Sequence, residues 1–164
     1  MLINHKTNLY NILLSLSRNI FFYKKIALPD TFETRIYLMF IHFSILMIIF
    51  KLKGSKFNQK LYDYLFHNIE NNLRESGLGD VAVNKKMKDF NKILYDILLK
   101  INLNEDKGKK FLINHKLVLK YFDVLNNQKT AEYKQFEIYF QDFFNFCFEL
   151  SLDNMIEECI NFKV

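Results

Sequence analysis

The chain has 164 residues, half of them apolar, with eighteen Phe, nine Tyr, no Trp, one Pro and four Gly. That length suits one domain spanning residues 1–164 with a real buried core, and the scarcity of Pro and Gly argues against a turn-rich sandwich or barrel. The net charge of +5 is unevenly spread: 21 basic against 11 acidic residues precede Thr130, and 2 against 7 follow from it. A basic body attracts anionic surfaces, but no recognised RNA- or DNA-binding motif accompanies it, so no specific nucleic-acid partner is expected.

In chain order, Leu9, Ile12, Leu13, Leu16 and Ile20 share one helical face, with Asn8, Asn11 and Ser15 opposite, which predicts a first helix. Between Ile26 and Thr31 the chain turns. Pro29 disfavours helix at Leu28, and Asp30 with Glu33 three residues later reads as a capping-box start. Ile36 to Phe50 is the most hydrophobic segment, interrupted by His42 and Ser44. It falls short of the roughly 20 residues that span a bilayer, so a central helix surrounded by its neighbours is expected, with His42 as a core histidine.

Lys51 to Lys60 reads as a basic loop. Leu61, Leu65, Ile69 and Leu73 then recur every four residues, which draws one apolar helical stripe. That helix should end near Gly77 in a left-handed cap, with Arg74 in its last turn and Asp80 or Asn84 capping the next helix. Met87, Phe90, Ile93, Leu94, Ile97 and Ile101 keep helical spacing. A polar break from Asn102 to Lys110, including Gly108, precedes a helix expected over Phe111 to Leu125. Thr130 can cap the last long segment, where Phe136, Phe140 and Phe144 form an aromatic stripe that fits a core, with an exposed docking groove as the alternative. Cys147 and Cys159 lie twelve apart, which is no metal-ligand spacing, and read as reduced core thiols.

The wording of the turn is more specific than a turn requires. Phe66, Glu70, Asn72, Leu73, Arg74, Glu75, Gly77, Gly79, Asp80, Val83 and Lys85 closely resemble the F-x-x-x-(D/E)-x-N-L-R-E-x-G-x-G-D-x-x-V signature of the ubiquinol–cytochrome c chaperone family. Upstream, Leu9, Tyr10, Arg18, Phe22, Tyr23, Pro29, Asp30, Thr31, Arg35 and His42 look like that family's earlier blocks. The resemblance runs from about Leu9 to Tyr95 and does not reach the last third. Asn68, Ile69 and Glu70 stand where the family has Asp-Met-Asp, Ser76 replaces its Met, and Thr34 replaces a Gly.

No phosphate loop, HExxH pair, GxSxG elbow or metal-spaced cysteine cluster occurs, and His5, His42, His67 and His115 are scattered. No catalytic residue, metal or cofactor is expected. Few turns and repeated helical spacings predict an all-α bundle of about six to seven helices around one very apolar central helix. The resemblance implies a non-catalytic assembly chaperone of respiratory complex III with cytochrome b as client, often with a small helper protein, in bacterial cytoplasm near the inner membrane or in the mitochondrial matrix. The client-binding residues it suggests are Arg74, Glu75, Gly77, Gly79 and Asp80, with Asp30, Arg35 and His42 second. The rival reading is a basic helical protein that binds a membrane surface or RNA directly.

Overall fold

The computed structural model describes residues 2–102 and 111–164, and for residues 2–8 and 102 the backbone alone. Residues 103–110 of the break expected from Asn102 to Lys110, with Gly108, and the side chain of His5 therefore lie outside the described residues, while Asn102 itself is helical. The described residues are helical without a strand: α1 (Leu2–Ser17), α2 (Ile20–Lys24), α3 (Phe32–Leu52), α4 (Gln59–Glu75), α5 (Asp80–Asn102), α6 (His115–Tyr121), α7 (Ala131–Phe148) and α8 (Met155–Glu158). Two of these, α2 and α8, are single turns, which leaves six longer helices among the described residues, within the expected six to seven.

Helix α3 is the centre. It is apolar on every side, and α1, α5 and α7 pack around it while α4 lies against α1 and α5. Leu38, Phe40, Ile41, Phe43, Ile45 and Leu46 have no solvent exposure. By length and composition α3 could cross a membrane, yet 67 % of its most apolar stretch is covered by the rest of the chain, as a core helix demands.

His42 is the histidine inside this core among the described side chains, where Ser44 of the same helix is also buried. Its Nδ1 lies 2.6 Å from the Leu38 carbonyl and its Nε2 2.8 Å from the Tyr139 hydroxyl. A carbonyl only accepts, so Nδ1 carries the proton and donates it, and Nε2 accepts from the Tyr139 O–H. Phe22, Phe140 and Phe143 close the ring in edgewise. Burial pulls its pKa down to about 4, against the lifting effect of the Leu38 hydrogen bond. On α7, Phe136, Phe140 and Phe144 face this core. The aromatic stripe is therefore core and not a docking groove, and Cys147 and Cys159 are free and buried beside it.

Several local expectations are corrected. The first helix breaks at Arg18 and Asn19, where the Asn19 side chain accepts from the Phe21 amide at 3.0 Å. Ile20 therefore leaves the apolar stripe and is 62 % exposed, while Phe21 and Phe22 turn inward. The cap of α3 is Thr31, whose hydroxyl accepts from Thr34 N–H at 3.2 Å, and not Asp30. Ala27 takes a left-handed φ of 64° in the preceding turn, which its sequence does not signal. The helix expected over Phe111 to Leu125 is shorter: it runs from His115, capped by Asn114, to Tyr121, and a 3-10 turn follows at Asp123–Leu125. Thr130 caps α7 as expected, accepting from Tyr133 N–H at 3.2 Å.

The buried histidine gives a pH signature. Its folded pKa lies below the ordinary 6.5, so between pH 6.5 and about 4 the unfolded chain binds the extra proton and stability falls as pH falls. The expected loss is of the order of 3 kcal/mol, at about 1.4 kcal/mol per unit. Denaturant melts across this window should show that slope in the parent chain and a flatter one in His42→Gln, whatever the variant's stability at pH 7. Parallel slopes would refute the buried neutral ring.

Candidate functional site

The turn between α4 and α5 is built by backbone geometry. Gly77 has φ of +96°. The Leu78 amide donates to the Leu73 carbonyl at 3.3 Å and the Gly77 amide to the Arg74 carbonyl at 3.0 Å, the paired bonds of a Schellman cap. Ser76 adds a hydroxyl bond to the Leu73 carbonyl at 2.7 Å. On the far side the Gly79 carbonyl accepts from Val83 N–H at 3.0 Å. Gly79 thus stands at the cap position, Asp80 is the first residue of α5, and Asn84 lies inside the helix. Neither acts as the cap the sequence suggests.

Freed from capping, the Asp80 carboxylate accepts from Arg74 Nη1. Arg74 Nη2 also donates to Glu70 Oε1 at 3.2 Å. One guanidinium thus ties the end of α4 to the start of α5, and both carboxylates raise its pKa through hydrogen bonds. The Asp80 charge also suits the positive end of the α5 dipole. Glu75 is exposed and makes no ion pair among the described residues.

A second group of charges meets this turn from the other end of the sequence. Tyr10 on α1 receives the Asn72 side-chain amide of α4. Its hydroxyl pKa is raised by burial, and it lies within electrostatic reach of Arg18, Glu75 and Arg35. Tyr23 donates its hydroxyl to the Ser17 carbonyl at 2.7 Å. Burial pushes its pKa up to about 12 against the pull of Arg35, with Asp30 and Arg18 also in reach. Arg35 Nη1 pairs with Asp30 Oδ1 at 2.6 Å. The face therefore holds Arg74, Glu75, Gly77, Gly79 and Asp80 on the turn, and Asp30 and Arg35 beside the two tyrosines. His42 stands apart, shut in the core.

Tyr10, Arg18, Tyr23 and Asn72 are the members that site reading by sequence leaves out. Their signal lies in the motif blocks themselves, since each is a motif position, but the 62 residues between Tyr10 and Asn72 hide their contact. Among the described residues no group of three or more His, Cys, Asp or Glu side chains could hold a metal ion. What the face offers is a mixed set of fixed charges, hydroxyls and amides, suited to recognising another surface.

A model of the ubiquinol-cytochrome C chaperone family matches residues 24–114. The chain belongs to that family. The match takes in Asp30, Arg35 and the whole α4–α5 turn, starts after the Leu9 to Tyr23 blocks, and stops before the aromatic α7. The fold resembles the crystal structure of the Cbp3 homolog from Brucella abortus with a TM-score of 0.67 at 17 % identity, over 93 % of this chain and 85 % of that one. No curated protein matches the chain.

The family's turn glycines should differ in cost. Nothing lies within 4 Å of a Cβ built at either Gly77 or Gly79, but only Gly77 has a positive φ. Gly77→Val should therefore lose about 1 kcal/mol or more through backbone strain alone, and Gly79→Ala should be near neutral. Thermal melts of the two variants check this, and equal midpoints would sink it.

Proposed function

We propose that the protein is an assembly chaperone of the ubiquinol–cytochrome c reductase complex, that it receives newly made cytochrome b, and that the turn face is where client or helper docks. Family membership supports the coarse role. The observation that carries the finer one is the gathering of motif residues from α1, the α2–α3 junction and the α4–α5 turn onto one exposed face. Such work asks for no catalytic group. It asks for a rigid helical scaffold, polar recognition and affinity low enough to release the client.

On this reading the whole chain acts as one unit, in bacterial cytoplasm near the inner membrane or in the mitochondrial matrix. Arg74 and Glu75 present charge to the partner. Glu70 and Asp80 hold Arg74 in place, and Asp30 orients Arg35. Gly77 and Gly79 shape the turn, and His42 serves by packing α3 against α7.

The test is Arg74→Ala combined with Glu75→Ala. Both side chains are exposed, so the double variant should melt close to the parent. Cells relying on it should fail to accumulate cytochrome b, and its pull-down of cytochrome b should weaken. Normal accumulation with a folded variant would defeat the assignment of this face.

A further inference from the structure

The outward side of α5 carries a pattern that the chaperone role does not use. At 100° per residue, Val81, Lys85, Lys88, Lys92, Tyr95 and Leu99 fall within an arc of about 80° along roughly 27 Å of helix. All six are exposed, with Val81 at 85 %, Tyr95 at 63 % and Leu99 at 65 %. The opposite face, with Val83, Phe90, Leu94 and Ile97, is buried in the core.

The three lysines make no ion pair among the described residues, whereas their helix neighbours Lys86 and Lys100 are paired to Glu33 and Asp96. No carboxylate lies inside the arc. Asp96, about 20° outside it, is already held by Lys100, Lys120 and Tyr121, and Asp89 lies about 40° outside it.

We propose that this stripe is a contact surface for the anionic head groups of a lipid bilayer. Three unneutralised ammonium groups in one line complement a negative plane, and they belong to a body before Thr130 whose net charge is +10 with them included. The apolar members decide the kind of plane. Val81 and Leu99 at the two ends have nothing to offer a phosphate chain, so on RNA they would stay in water. At a bilayer they enter the acyl boundary, Tyr95 takes the head-group level, and the lysine stems lie along the surface with their charges at the phosphates. A convex helix face meets a plane along its whole length.

The experiment is co-sedimentation of the full purified chain with vesicles of phosphatidylcholine alone and of phosphatidylcholine with phosphatidylglycerol, at low and high salt. Binding should need the anionic lipid and weaken with salt. Lys85→Gln, Lys88→Gln and Lys92→Gln together should reduce it at least about tenfold. The same charge removed around the α3–α4 junction, by Lys51→Gln at the end of α3, Lys56→Gln in the connection and Lys60→Gln at the start of α4, where the sequence suggested one loop from Lys51 to Lys60, should change it by less than about twofold. A polarity-sensitive dye on Leu99→Cys should shift to the blue with anionic vesicles only, which tests the same face without removing its charge. Equal losses in the two triple variants, no binding by the parent chain, or stripe variants that lose RNA or an acidic helical peptide while keeping vesicles would each overturn the proposal.

Discussion

The rest of the structure depends on a helix with no polar side. α3 buries residues all round its axis, so it can only be stable when other helices enclose it, and α1, α5 and α7 do so. Each enclosing helix needs just one apolar stripe and is free to carry charge on its outer face. That division sends nearly all recognition chemistry to the periphery. Among the described side chains the one imidazole left inside, His42, has both ring nitrogens bonded and no counter-ion, so it stays neutral and acts as part of the packing.

Long-range architecture was legible in the sequence because it follows from periodicity. The stripe through Leu61, Leu65, Ile69 and Leu73 and the aromatic ladder of α7 each face the core. Gly77 announced a left-handed cap because few other residues take that backbone. Local choices between neighbours were not legible. Asp30 and Thr31 are both good caps, and the extended backbone at Thr31, with φ of −116° and ψ of 161°, decided between them. Ile20 kept the helical spacing of α1, but a single Asn19 side-chain bond restarted the helix and rotated it out of register. Asp80 did not become the cap because the helix begins one residue earlier than that role needs, with Gly79 at the cap position, which leaves the Asp80 carboxylate to pair with Arg74.

The candidate site was legible as words and not as a place. The motif blocks could be read from Tyr10, Asp30, Arg35 and the Leu73 to Asp80 run, but their meeting depends on α1 packing against α4, which no spacing encodes. Once assembled, the arrangement explains why the polar residues differ in environment. Arg74 and Glu75 are exposed at the turn, whereas Tyr10 and Tyr23 are partly desolvated and hold their protons more tightly. The face is thus rigid at its base and charged at its rim.

The contact between His42 and Tyr139 spans 97 residues, and this sets a clock on biosynthesis. A ribosome adding about 5–20 residues each second needs roughly 5–20 s to travel from one partner to the other. For most of that interval, from Leu52 to Ala131, α3 has been made but the helix that seals one of its flanks has not. The nascent chain therefore passes through a stage in which its own most apolar segment is uncovered. A member of a chaperone family is, while still being translated, itself a chain that has to be guarded.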